Sequence, residues 1–146
     1  MQYADSNYYK NTYHGSKIPD EYLDYYLTKA SEKIDSLTYN RIVFMNTHNL
    51  ELTPFQQEKL KRACCMCAEE YYKEDVEDAA GTENITSYSV LDISVSIDNK
   101  NDTAYKIKNN YGINEATYNC LKQTGLMCGV IWWQTWLKNC HFQTGY

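Results

Sequence analysis

Residues 52–78 read LTPFQQEKLKRACCMCAEEYYKEDVED, and the spacing within them decides what kind of protein is built around them. Thr53 can cap a helix, Pro54 suits the first helical position, where its missing N–H costs nothing, and Gln56 stands where a capping box needs it. Phe55, Leu60, Ala63, Cys64, Cys67, Ala68 and Tyr71 then line one side of a helical period. The stretch predicts a long helix with one apolar face, and such a face needs other helices to cover it.

Upstream, SKIPDEYLDYYLTKASEKIDSLTYNRI (16–42) repeats the signal. Ile18, Tyr22, Tyr26, Ala30 and Ile34 recur every four residues, and Leu23, Leu27 and Leu37 widen the stripe. Pro19 and the acidic pair Asp20 and Glu21 predict a helix start near Pro19, because carboxylates favour the positive end of the helix dipole. TYNRIVFMNTHNL (38–50) lacks caps and predicts a short helix and a loop.

Downstream of Gly81 the period changes. In ITSYSVLDISVSIDNKNDTAYKIK (85–108), Leu91, Ile93, Val95 and Ile97 alternate with polar residues, as in a half-buried strand. Asp98 to Asp102 supplies turn residues, and Tyr105 and Ile107 alternate again beyond them, predicting a hairpin-like arm. INEATYNCLKQTGL (113–126) returns to helical spacing, with Gly125 placed as a C-terminal cap. The closing CGVIWWQTWLKNCHFQTGY (128–146) places Trp132 and Trp136 on one helical face and Trp133 and Leu137 on the next, with Phe142 beyond.

The fold class these segments predict is mainly α: a small helical bundle with a β-hairpin-like arm at about 85–108 and an extended or short helical C-terminal tail. A chain of 146 residues suits one domain, here 1–131, followed by an aromatic tail, 132–146. The net charge of −5 argues against a protein that grips phosphates. Fifteen tyrosines suit surfaces that alternate between wet and packed, as interfaces do. The N-terminus has no positive start or apolar core of a secretory signal, and the run GLMCGVIWW (125–133) is too short to span a membrane. The expectation is a soluble, intracellular product with no membrane partner, whose six cysteines are reduced and whose sequons at Asn84 and Asn101 are chance matches.

Chemistry-bearing patterns are few. Cys64 and Cys67 form a C-x-x-C, but the remaining cysteines have no zinc-site rhythm, and the pair lies well inside a helix rather than at an N-terminus that would lower a thiol pKa. Cysteine as a small buried hydrophobe is the simpler account. The acidic run through Glu70, Glu74, Asp75, Glu77 and Asp78 lacks the order of a calcium loop. It crowds the end of a helix where the dipole disfavours it, which suggests a field or a basic partner. His14, His48 and His141 have no nucleophile at a motif spacing. No catalytic set, metal site or cofactor is expected.

Taken in order, YADSNYYKNTYHG, IDSLTYNRI, LTPFQQEKLKRACCMCAEE, SYSVLDISVSI and YNCLKQTGLMCGVI resemble the head–tail connector (adaptor) proteins of tailed bacteriophages and prophages, over about Tyr3 to Ile131. The closing WWQTWLKNCHFQTGY lies outside the resemblance. The resemblance implies a non-enzymatic virion protein at the head–tail interface, made in the cytoplasm of a bacterial host. Such adaptors form a ring, commonly of twelve copies, beneath the portal protein. They extend the channel for double-stranded DNA, which passes without sequence-specific binding, and present a platform to a head-completion, stopper or tail protein.

On that reading Trp132, Trp133, Trp136, Leu137 and Phe142 are candidate contacts to the portal or an adjacent subunit. Leu91, Ile93, Val95 and Ile97 are candidates for an inter-subunit arm, and Glu70, Glu74, Asp75, Glu77 and Asp78 for an acidic channel lining that repels DNA. Two alternatives belong to other classes: a small helical DNA-binding regulator, which would need a basic recognition helix, and a thiol- or metal-dependent protein using Cys64 and Cys67.

Overall fold

The computed structural model describes residues 2–79, 87–90, 93–96 and 103–127. In chain order the elements are α1 (Ser6–Asn11), α2 (Asp20–Leu37), α3 (Arg41–Thr47), α4 (Pro54–Ala79), the strands β1 (Ser87–Val90) and β2 (Ile93–Ser96), α5 (Thr103–Tyr111) and α6 (Glu115–Lys122). The fold is mainly helical, as the periodicity predicts. Among the described residues no helix is long and apolar enough to cross a membrane.

Helix α4 is the axis. Its 26 residues extend about 39 Å at helical rise, and α2 and α6 both pack along it. The expected capping box is present: Gln56 N donates to Thr53 Oγ1 at 3.3 Å, and Thr53 N donates back to Gln56 Oε1 at 3.0 Å. Leu60, Ala63, Cys64, Cys65, Cys67 and Ala68 are buried, while Phe55, expected on this stripe, stands exposed. The buried face is also wider than the spacing predicts, because Cys65 is covered as well.

Helix α2 begins at Asp20 with Pro19 as its N-cap, one residue from the expected start. Leu23, Tyr26, Leu27, Ala30, Ser31 and Ile34 face the core, and Tyr22, expected on that face, is exposed. The expected stripe otherwise holds, with Ser31 joining its edge. Small residues let α2 and α4 approach closely: Ser31 Oγ donates to Leu27 O at 2.7 Å and lies 3.3 Å from Cys64 Sγ.

The end of α2 is a Schellman turn built without glycine. Tyr39 N donates to Ser36 O at 3.1 Å and Asn40 N to Asp35 O at 2.7 Å. Tyr39 and Asn40 both lie at φ 55°, and for a bulky residue such as Tyr39 that conformation is strained. The turn redirects the chain into α3, which packs on α2 and buries Ile42.

The N-terminal segment carries an element the spacing does not announce. Asp5 Oδ1 accepts from Tyr8 N at 2.7 Å and starts α1, which buries Tyr8 and Tyr9 against the bundle. Gly15 passes so close to the Tyr9 ring that an added Cβ would overlap it.

One expectation for 85–108 is corrected. Tyr105 and Ile107 belong to helix α5, not to a second strand, and Ile107 is buried. Two alternating residues are too few to outweigh burial of one helical face. The expected turn at 98–102 lies outside the described residues, and β2 pairs antiparallel with β1, upstream of it. Helix α6 is capped by Asn114, whose Oδ1 accepts from Thr117 N at 2.8 Å. It ends at Lys122, and Gly125 lies beyond that end, in the following turn at φ 73°.

Candidate functional site

Part of the tyrosine surplus is explained inside the chain. Four hydroxyls donate to four carboxylates: Tyr3 to Asp35, Tyr8 to Glu58 at 2.7 Å, Tyr9 to Glu69 at 3.1 Å and Tyr26 to Asp75 at 2.8 Å. Each ring is buried or half-buried, and the hydroxyl carries the polar tip to an acid on a neighbouring helix. Burial pushes the Tyr3 and Tyr8 hydroxyls well above the ordinary tyrosine range, and the Tyr9 hydroxyl up to about 12. Glu69 is itself buried, and its second oxygen takes Lys17 Nζ at 2.7 Å.

The acidic end of α4, the candidate channel lining, is divided by its partners. Lys108 of α5 reaches Glu74 at 2.7 Å and Glu70 at 3.3 Å, and its pKa is raised, chiefly by the hydrogen bond to Glu74. Asp75 faces α2, where it accepts from Tyr26 and lies 3.5 Å from Lys29 Nζ. Glu77 is 3.7 Å from Lys73 one turn back on the same helix, and Asp78 is exposed. Three of the five candidates thus tie α4 to its neighbours, which accounts for carboxylates at an end where the dipole alone disfavours them.

Cys64, Cys65, Cys67 and Cys120 are free and buried. Burial pushes the Cys64 and Cys65 thiols up, and Cys67 up to about 12, so the C-x-x-C holds its sulfurs as neutral thiols among apolar neighbours. Among the described residues no group of three or more histidine, cysteine or acidic side chains could hold a metal ion.

The strand pair has a sharply divided register. Tyr88 pairs with Val95 and Val90 with Ile93, whereas Ser87 pairs with Ser96 and Ser89 with Ser94. Of the candidate arm residues, Ile93 and Val95 lie in β2, whereas Leu91 and Ile97 lie outside the described residues. So do Trp132, Trp133, Trp136, Leu137 and Phe142.

One surface feature has no signature in the sequence. A cleft of about 530 Å³ opens between the N-terminal segment, α3 and the start of α4, lined by Gln2, Tyr3, Asn46, Asn49, Gln57 and Lys61 among others. Its residues come from three separate segments, and only the turn-forming Asn49, at φ 54°, hints at a bend there. The lining mixes amides with apolar Ile42, Leu50, Leu52 and Leu60 and the charged Glu51 and Lys61.

No protein-family model, curated protein or solved structure matches the chain.

Proposed function

We propose that the chain is a structural, non-enzymatic subunit of a head–tail connector of a tailed phage or prophage. In this reading copies form a ring, commonly of twelve, beneath a portal protein. The ring extends the DNA channel and presents a platform to a head-completion, stopper or tail protein. The work is done at the head–tail interface of the virion after synthesis in the bacterial cytoplasm.

The observation that carries the reading is the antiparallel ribbon of β1 and β2, whose register pairs apolar residues with apolar ones, Tyr88 with Val95 and Val90 with Ile93, and serines with serines. A two-stranded sheet is marginal in water because its apolar face finds no cover. A neighbouring subunit supplies that cover, which makes the ribbon the arm that links adjacent copies. The charge of −5 is compatible with a channel that lets DNA pass, with Glu77 and Asp78 as its lining and Glu70, Glu74 and Asp75 tying helices together. Trp132, Trp133 and Trp136 are then anchors offered to the portal.

Two other classes fit less well. A DNA-binding regulator needs a basic recognition helix, and α4 carries its acids along the exposed end. A thiol or metal protein needs a thiolate, and burial keeps the Cys64 and Cys67 thiols protonated.

Native mass spectrometry and electron micrographs of the protein, alone and mixed with portal rings, test the reading. Closed rings, or rings stacked on the portal, are expected. A monomer at every concentration that leaves portal rings bare would remove the proposal. Val95→Asp should keep helicity and block assembly, whereas loss of the whole fold would assign Val95 to the subunit's own core.

A further inference from the structure

We infer that two faces of the bundle form a contact between copies of this chain: Arg62, in the first half of α4 of one copy, docks on the face of Glu21, Tyr22 and Tyr25 on α2 of the next. The contact rests on the reading that copies assemble, and it adds a second joint to the ribbon. Its tyrosine half already holds a cation. Lys29 Nζ lies 4.9 Å from the centre of the Tyr71 ring, 5.8 Å from that of Tyr26 and 5.9 Å from that of Tyr25, and 3.5 Å from Asp75 Oδ2. Tyr26 in turn meets Tyr25 and Tyr72 edge to face, with ring centres 5.1 and 5.4 Å apart, so the rings of α2 and α4 make one continuous surface.

More of that surface is built than Lys29 uses. Tyr22 and Tyr25 remain 48% and 59% exposed. They lie three positions apart on α2 and so on one side of it, and Glu21 stands one turn before Tyr25. Glu21 is exposed and makes no ion pair among the described residues; its hydrogen bond with the Tyr22 hydroxyl raises the pKa of that hydroxyl. A carboxylate beside open tyrosine rings suits a guanidinium, which stacks on an aromatic face while its N–H groups reach the acid.

The matching cations stand in the first half of α4. Lys59, Lys61 and Arg62 fall within four positions and make no ion pair among the described residues. Lys59 lies 5.5 Å from the centre of the Phe55 ring and Lys61 5.3 Å from that of Tyr8, while the neighbouring acid Glu58 accepts from the Tyr8 hydroxyl. Arg62 is exposed. It cannot reach the tyrosine face of its own chain: Asp75, which faces α2, stands thirteen positions further along α4, about 20 Å by helical rise and about 3.6 turns away, on the opposite side of the helix. Two complementary faces that one chain cannot bring together can meet between copies, head to tail, and such a contact closes into a ring or runs on as a filament.

Charge reversal tests the pairing. Sedimentation velocity of the free full-length protein at low salt should show association that rises with concentration and falls in about 1 M salt, where charges are screened beyond about 3 Å. Arg62→Glu and Glu21→Arg should each stay monomeric with unchanged far-ultraviolet circular dichroism. Mixed in equal amounts the two should associate again, because each supplies the charge that the other lacks. If either reversal lowers helicity, Tyr25→Ala is read instead and should weaken association about tenfold. A parent that stays monomeric at low salt overturns the inference. So do reversals that associate like the parent, a mixture of folded reversals that stays monomeric, and Tyr25→Ala without effect. The ring reading is decided separately: rings that both reversals still form, alone or on the portal, would keep that reading and remove only this contact.

Discussion

The Tyr9 hydroxyl sits at the centre of a polar knot: it donates to Glu69 Oε1 at 3.1 Å across a sequence separation of 60 and accepts from Lys17 N at 3.2 Å. Glu69 is in turn held by Lys17 Nζ at 2.7 Å. The ring is 1% exposed, so its polar tip has been taken out of water and matched inside the fold. Tyr9→Phe keeps the shape and strands Glu69 with one partner fewer. Chemical denaturation should show a loss of about 1–3 kcal/mol, the cost of leaving buried polar groups short of a partner. An unchanged midpoint would mean that water replaces the hydroxyl.

Gly15 is required by the same ring. A Cβ at Gly15 would overlap the far end of Tyr9, which burial prevents from swinging aside. Gly15→Ala should therefore destabilise the fold by about 1–3 kcal/mol, as overpacking does. Combined with Tyr9→Leu, which removes the obstructing ring end, the alanine should cost much less. Equal cost in both backgrounds would locate the strain in the backbone instead.

Alkaline pH should unfold the bundle through its tyrosines. Burial raises the Tyr9 hydroxyl from its ordinary value of 10.0 to about 12. A raised folded pKa means that the native state holds its proton more tightly than the unfolded chain. The linked stability is full below pH 10 and is lost as pH rises towards 12. Thermal melts across that window should fall steadily in the parent and less steeply in Tyr9→Phe. Identical slopes would count against the linkage.

Thr117 offers the opposite case. Its side-chain oxygen is buried in α6 and, among the described residues, has no hydrogen-bond partner. Thr117→Val keeps the shape and removes the unmatched hydroxyl, so stability should hold or rise by up to about 1 kcal/mol. A marked fall in melting temperature would reveal a water or partner satisfying that oxygen.

By itself the sequence determined the two long helices, the Thr53–Gln56 capping box and the burial of Cys64 and Cys67, because caps and apolar periods act within a few residues of one another. It also marked the alternation at Ile93 and Val95, though not the strand they pair with. Only the tertiary structure decided the rest. The Tyr8–Glu58, Tyr9–Glu69 and Tyr26–Asp75 pairs join residues 49 to 60 apart, and no local pattern encodes which acid a given hydroxyl will meet. Glu70 and Glu74 read as a free acidic face until α5 brings Lys108 to them. Tyr105 and Ile107 read as a strand until burial of Ile107 makes the helix the better solution. In each case the deciding energy comes from groups distant in the chain, and it exists only once the helices have packed.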